Sequence, residues 1–150
     1  YALAVQDTYP SWGWWIVNGA TTLYENWNIQ AERDISLNHM MFGEIGGWFF
    51  KGLGGIMIDE TQPGFKNILF KPNFVQGLDH FNAAHEGPHG EILSSWKRTG
   101  KKVVYSVTIP ANSRATVHFP LEQGQKAYRG KSAVDAVLKL EAGTYQFEIK

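Results

Sequence analysis

The chain has no cysteine among its 150 residues, which excludes disulfide bonds, thiolate metal sites and cysteine nucleophiles. It has no excess charge of either sign, because 14 basic side chains balance 14 acidic ones. We therefore expect neither nucleic acid nor a membrane as a partner. No apolar run reaches the ~20 residues of a membrane-spanning helix. The N-terminus lacks the basic start and apolar core of a signal peptide, so the compartment (cytoplasm, periplasm or cell exterior) stays open.

The composition is that of a globular chain, with 43% hydrophobic and 19% charged residues. Its length suits one ordinary domain, or a small domain with part of another. The composition changes near Asp59. Most tryptophans lie before it, and short β-type runs separated by glycine and proline follow it. We expect a helical part over residues 1–60 and a β part over residues 61–150.

The helical part is predicted to contain two helices joined by a short polar loop. The first helix begins after Pro10 with Ser11 as its N-cap, weakens at Gly19 and resumes over residues 20–27. The loop covers Asn28–Ile35, so the two helices are expected to form an αα-hairpin.

The second helix is predicted from apolar side chains at helical spacing. They form one stripe that we expect to be buried: Met41, Ile45, Trp48 and Phe49. Ser36 or Asn38 is the expected N-cap, and the glycines within 52–55 are expected to end the helix. Two such helices cannot bury both of their faces within 60 residues. We therefore expect them to be the last pieces of a larger helical domain, whose upstream part supplies the partner surface.

The β part is predicted to be an antiparallel sandwich of about seven short strands. The strongest alternation runs through Val103, Tyr105, Val107 and Ile109. Residues 98–101 before it read as a hairpin turn, with Gly100 free to adopt positive φ. The other predicted strands cover residues 66–71, 91–97, 115–119, 134–140 and 144–149.

Residues 85–89 read His-Glu-Gly-Pro-His and match the H-E-x-x-H zinc motif in letters. That motif holds zinc only on a helix, where both histidines share one face. Pro88 inside a helix would cost ~3 kcal/mol. We therefore expect a turn between strands here and no metal site.

Five of the six tryptophans lie in two segments, SWGWWIVNGATTLYENWN and SLNHMMFGEIGGWFF. Indole and phenol rings offer flat apolar surfaces with one polar atom each. The asparagine, glutamate and histidine side chains between them provide placed polar groups. This mixture suits a sugar, because its C–H faces stack on rings and its hydroxyls need donors and acceptors.

Glu25 is the candidate carboxylate, since it lies between two aromatic residues. A glycosidase needs two carboxyl groups beside the scissile bond, one acting as acid and one as base or nucleophile. The alternative is a surface or helix-pairing glutamate. His39, beside Asn38, suits a pocket rim, and its alternative is a capping or core imidazole. Trp12 and the other tryptophans divide between core and stacking platform.

An ordered series of motifs in this chain resembles bacterial α-L-rhamnosidases of glycoside hydrolase family 78. The series covers nearly the whole sequence and is far more specific than any single motif. Its members are YPSWGWWI, NGATTLYENW, SLNHMMFG and GWF in the helical part, then GPHGEILSSW and VTIPAN in the β part.

The resemblance implies an (α/α)6 catalytic barrel followed by a C-terminal β-sandwich, and hydrolysis with inversion at the anomeric carbon. It implies that Glu25 is the general base, that His39 contacts rhamnose, and that the general acid lies upstream of this chain. We assign Trp12 and Asn38 to the substrate-binding residues with His39. Tyr24 stands where the family often has tryptophan, and the short connection from Glu25 to His39 is expected to alter the pocket rim.

The fold class expected is therefore α+β in two parts, namely the last helices of an (α/α)6 barrel over 1–60 and an antiparallel β-sandwich over 61–150. The function expected is part of an inverting hydrolase that releases terminal α-L-rhamnose without a cofactor. The isolated chain is expected to be inactive. Two alternatives stay open: a non-catalytic carbohydrate-binding or packing module, and another (α/α)-barrel hydrolase that acts on a different sugar.

Overall fold

A computed structural model describes residues 1–30 and 35–150 of the chain. The chain divides into two compact units, Tyr1–Trp48 and Phe49–Lys150. The described residues of the first unit form three short helices, α1 (Ala2–Val5), α2 (Trp12–Val17) and α3 (Glu44–Trp48). None of the helices in the described part of the chain is long and apolar enough to cross a membrane.

Helix α2 begins where the sequence predicted, because the Ser11 side chain accepts a hydrogen bond from the Trp14 amide at 2.9 Å. The predicted continuation over residues 20–27 is wrong, since that stretch contains no helix. Gly19 has a φ of 87°, and Asn26 Oδ1 accepts from the Asn28 amide at 3.0 Å. Such local turns compete with helix formation. The αα-hairpin is therefore absent, and residues 31–34 of its predicted loop lie outside the described residues.

The second predicted helix is shorter than expected and begins at Glu44. Ser36 does not cap it; its hydroxyl donates to the Asn38 carbonyl at 2.9 Å and accepts from the Asn38 amide at 3.1 Å. Met41 precedes the helix and is 60% exposed, so it does not belong to a buried stripe. Ile45, like Trp48 and Phe49, is half-buried.

The second unit opens with a π-helical turn at Phe49–Gly54 and continues as strands in two sheets. The strands are β1 (Ile56–Ile58), β2 (Asn67–Phe70), β3 (His80–Gly87), β4 (Gly90–Thr99), β5 (Lys102–Ile109), β6 (Arg114–His118), β7 (Ala127–Arg129), β8 (Ser132–Val134), β9 (Val137–Leu140) and β10 (Gly143–Ile149). The four-stranded sheet has the order β1-β2-β6-β9 and the six-stranded sheet the order β3-β4-β5-β10-β7-β8.

The predicted alternation in β5 is confirmed, because every second residue from Val103 to Ile109 is buried. Gly100 takes a φ of 60° in the β4–β5 turn, as predicted. Residues 134–140 do not form one strand. The chain leaves the six-stranded sheet after Val134 and enters the four-stranded sheet at Val137. The sandwich is also not wholly antiparallel, since β2 pairs with β6 in parallel.

The His-Glu-Gly-Pro-His stretch forms the β3–β4 hairpin, as the turn prediction required. Gly87 pairs with Gly90, and Pro88 and His89 make the turn between them. The His85 ring packs against Phe65 with ring centroids 4.6 Å apart. Among the described residues there is no group of three or more histidine, aspartate or glutamate side chains that could hold a metal ion.

The core of the sandwich lies between the two sheets and fixes the π-helical turn to β4. The Trp96 indole donates to the Leu53 carbonyl at 3.0 Å, and the Ser94 hydroxyl donates to the Gly54 carbonyl at 2.5 Å. Ser94 also contacts the hydroxyl of Tyr105 at 3.1 Å, and burial raises the pKa of that tyrosine. Each buried polar group in this region therefore has a partner.

Gly55 links this turn to β1 and has a φ of 70°. A Cβ atom at this position would lie 2.1 Å from the Pro72 nitrogen, which is backbone and cannot move aside cheaply. Gly130 offers a matched comparison. It has a φ of 61°, and nothing lies within 4 Å of the Cβ position.

We expect Gly55→Ala to destabilise the sandwich far more than Gly130→Ala. Gly130→Ala carries only the left-handed backbone cost of ~1–2 kcal/mol. Gly55→Ala has this cost and the clash with the Pro72 backbone as well, so we expect it to lower the free energy of unfolding by more than roughly 3 kcal/mol. Thermal unfolding of the intact protein measures both, and equal shifts in Tm would contradict the close approach of Pro72.

Candidate functional site

Two segments of the first unit lie side by side and carry three of the four predicted site residues, Glu25, Asn38 and His39. The His39 amide donates to the Leu23 carbonyl at 2.8 Å, and the Glu25 amide donates to the Ser36 carbonyl at 2.9 Å. The Thr22 hydroxyl also donates to the Leu37 carbonyl. Residues 22–25 and 36–39 are therefore paired through their backbones, which sets Glu25 beside Ser36.

The Glu25 carboxylate is half-buried and held by the segment opposite. Its Oε2 accepts a hydrogen bond from the Ser36 amide at 2.8 Å. Among the described residues, the Ser36 amide is the group that donates to this carboxylate. None of the described residues donates a hydrogen bond to Oε1. The side chain of the neighbouring Asn26 accepts from the Asn28 amide instead. A backbone N–H fixes one carboxylate oxygen and leaves the other for a bound molecule.

The His39 ring is half-buried, and its Nδ1 accepts from the Met41 amide at 3.0 Å. A ring nitrogen that accepts carries no proton, so the neutral ring carries its proton on Nε2. Nε2 is then a hydrogen-bond donor. Asn38 is exposed, and its backbone rather than its side chain bonds Ser36. The imidazole thus serves as a local cap and still offers one donor.

A cluster of aromatic rings supports the segment that carries Glu25. Trp15 is 2% exposed, and its indole donates to the Trp27 carbonyl at 2.9 Å. Trp27 packs on Trp15 with ring centroids 4.6 Å apart and on Phe42 with centroids 4.3 Å apart. Trp12 meets Trp27 edge-on at 5.0 Å. Trp15 is therefore core, and it fixes the backbone two residues after Glu25.

Trp12 reaches from this cluster to an apolar groove of about 490 Å³. Its indole donates to the Phe42 carbonyl at 3.3 Å, and the ring is half-buried. Of the four predicted site residues, Trp12 lines this groove, whereas Glu25, Asn38 and His39 lie on the paired segments. Sequence reasoning missed the Ser36 amide and Phe42, because neither a backbone donor nor a distant ring contact leaves a motif.

Comparison with known proteins decides the family. Residues 55–133 match the bacterial alpha-L-rhamnosidase C-terminal domain, and residues 1–53 match the bacterial alpha-L-rhamnosidase 6 hairpin glycosidase domain. The chain belongs to the bacterial α-L-rhamnosidase family. This confirms the resemblance that the motifs indicated.

The chain is similar to an alpha-L-rhamnosidase of Alteromonas sp. (strain LOR), at 34% identity over 99% of this chain and 17% of that protein. Among solved structures it is similar to the α-L-rhamnosidase from Dictyoglumus thermophilum, with a TM-score of 0.87, 28% identity, and coverage of 98% of this chain and 18% of that one. The Streptomyces avermitilis α-L-rhamnosidase complexed with L-rhamnose gives a TM-score of 0.84 at 26% identity, over 99% of this chain and 16% of that one.

The chain therefore spans less than a fifth of the length of these relatives. Its structural neighbours are rhamnosidases with a barrel and a β-sandwich, so the predicted fold class is confirmed. The three helices of the first unit lie within the segment that matches the 6 hairpin glycosidase domain, and most of the strands lie within the segment that matches the C-terminal domain.

We expect Trp15→Phe to destabilise the first unit by ~1–3 kcal/mol, because the Trp27 carbonyl loses its donor and the ring loses contact area. Trp14→Phe is the matched control. The Trp14 ring is half-buried against Tyr9, with ring centroids 5.1 Å apart. Hydrogen exchange of residues 24–28 in the intact protein measures the effect, and equal exchange in both variants would contradict it.

Proposed function

We propose that the protein containing this chain is an inverting α-L-rhamnosidase that releases terminal α-L-rhamnose from glycosides or polysaccharides. Glu25 is the general base, and the general acid is supplied by the upstream part of the same barrel. The reaction needs no cofactor in this proposal. The domain assignment, barrel helices over residues 1–60 and sandwich over 61–150, belongs to the same proposal.

The observation that carries the proposal is the fixed orientation of the Glu25 carboxylate. Oε2 is bonded to the Ser36 amide at 2.8 Å, so Oε1 has a defined direction in which to hold a water molecule. A general base needs hydrogen-bond reach to the proton that it removes. In an inverting enzyme the two carboxyl groups stand ~6.5–9.5 Å apart, which leaves room for that water.

Three side chains of the first unit suit a bound sugar. His39 Nε2 supplies a donor because Nδ1 is occupied by the Met41 amide. The exposed side-chain amide of Asn38 supplies a donor and an acceptor. The Trp12 ring borders an apolar groove and suits the C–H face of a sugar ring. We propose these three residues as substrate-binding groups of the same site.

The first unit exposes a set of large apolar side chains, which supports a partner surface from the rest of the barrel. Met40 is 86% exposed and Ile16 71% exposed. The others are Leu3, Val5, Tyr9, Val17, Leu37 and Met41. Exposed apolar surface of this extent is unusual for a folded unit without a partner.

We expect Glu25→Gln to lower kcat for 4-nitrophenyl α-L-rhamnoside by ~10²–10⁴-fold in the intact protein, with little change in KM. The glutamine carbonyl still accepts from the Ser36 amide, so the local geometry is kept. Glu60→Gln, at an exposed position in the second unit, is the control and should retain full activity.

Full activity in Glu25→Gln would contradict the general-base role and favour the non-catalytic carbohydrate-binding or packing alternative. No activity even in the unmodified protein would exclude rhamnose as the substrate and favour a different sugar.

We expect the isolated 150-residue chain to show no turnover above background, because it supplies one of the two carboxyl groups that the chemistry needs. The measurement is 4-nitrophenol release by purified chain beside an equimolar amount of the intact protein. Measurable turnover by the purified chain would mean that the general acid lies within these residues.

A further inference from the structure

The sandwich unit contains a pocket of its own at the ends of strands β4, β5 and β10. It has a volume of about 450 Å³ and is bordered by the loop before β3 and the loop before β7. Sites for small molecules usually enclose ~300–1,000 Å³. All residues of this unit, 49–150, are described.

Arg98 is the central polar group of this pocket. Its Nη2 donates to the Phe74 carbonyl at 2.6 Å and to the Val75 carbonyl at 3.4 Å. Within residues 49–150 the guanidinium pairs with no carboxylate, and its Nε is buried without a partner. Nη1 likewise has no protein acceptor there. Two backbone carbonyls thus hold the side chain in place and leave donors unused.

The loops add further groups whose second hydrogen-bonding atom is unused. Gln125 Oε1 accepts from the Glu122 amide at 2.9 Å, which leaves Nε2 as a donor. Asn73 Nδ2 donates to the Gly52 carbonyl at 2.8 Å, which leaves Oδ1 as an acceptor. The Glu122 carboxylate lines the same pocket. Donors and acceptors are therefore both present and are positioned by the backbone.

The remaining wall is apolar and rigid. The Phe74 ring packs against Trp96 and Tyr105, each with ring centroids 5.5 Å away. Pro120 and Leu121, in the loop before β7, also line the pocket. A few placed polar groups on an apolar wall are typical of ligand sites.

The charges of the pocket select the class of ligand. Arg98 is positively charged and Glu122 is negatively charged. A bound carboxylate or phosphate would therefore be repelled by Glu122, and a bound cation would be repelled by Arg98. A neutral molecule with several hydroxyls satisfies both, because a hydroxyl donates to the carboxylate and accepts from the guanidinium. Apolar C–H groups of such a molecule lie against Phe74 and Leu121.

We propose that this pocket is a second carbohydrate-binding site that takes one neutral sugar unit. It is built entirely from residues of the sandwich unit, and it stands independently of the activity proposed for Glu25.

The test is hydrogen–deuterium exchange of the intact protein with and without a saturating neutral sugar. The probes are L-rhamnose, D-galactose, D-glucose and D-xylose, with D-galacturonate as the charged comparison. We expect at least one neutral sugar to protect residues 73–76 and 120–125. The same protection should persist in Glu25→Gln, which separates this site from the proposed catalytic one.

Gln125→Glu and Gln123→Glu form the matched pair of variants. Gln125→Glu keeps an acceptor for the Glu122 amide but removes the Nε2 donor and adds a second negative charge. We expect it to weaken sugar binding by at least about tenfold. Gln123 is exposed two residues away and does not line the pocket, so Gln123→Glu should bind as the unmodified protein does. Glu122→Gln, which keeps the backbone contacts, should weaken binding severalfold.

The proposal would be overturned if none of the four neutral sugars protected these residues. It would also be overturned if galacturonate alone protected them, because the pocket would then be a carboxylate site. Unchanged sugar affinity in both Gln125→Glu and Glu122→Gln would overturn it as well.

Discussion

Glu25 and Ser36 are joined by two hydrogen bonds, one between their backbones at 2.9 Å and one from the Ser36 amide to the carboxylate at 2.8 Å. Both bonds depend on the pairing of residues 22–25 with residues 36–39. The same pairing places His39 opposite Leu23. Without it the carboxylate and the imidazole would belong to separate loops with no fixed relation. The aromatic cluster keeps the pairing in place, because Trp15 bonds the carbonyl of Trp27.

The sandwich has a different source of rigidity. Its buried side chains alternate along long antiparallel strands, so register and core packing specify each other. Two polar contacts from β4, through Ser94 and Trp96, then fix the π-helical turn that precedes the first strand. Gly55 allows the chain to pass Pro72 at a distance that no side chain would tolerate. The beginning of this sandwich is therefore fixed to its buried strand β4.

Sequence alone predicted the features that depend on local chemistry. Ser11 was recognisable as an N-cap because a serine side chain satisfies a free amide there. Strand β5 was recognisable because its alternation is strict. Residues 20–27 misled the helical prediction, because the local hydrogen bond of Asn26 competes with a helix. The parallel pairing of β2 with β6 and the change of sheet after Val134 depend on contacts between distant residues, which no local pattern encodes.

The candidate site likewise has features that the sequence predicted and features that depend on contacts between distant residues. Motif resemblance predicted Glu25 and His39 as candidate site residues, but the donor that orients Glu25 is a backbone amide and has no signature in the sequence. The most direct test of Glu25 as the carboxylate that acts on the side opposite the leaving group is chemical rescue of Glu25→Ala in the intact protein by azide. Azide replaces the activated water and attacks the anomeric carbon opposite the leaving group. We predict restored release of 4-nitrophenol with β-L-rhamnosyl azide as the product. Formation of the α-azide, or ordinary hydrolysis by Glu25→Ala without azide, would contradict it.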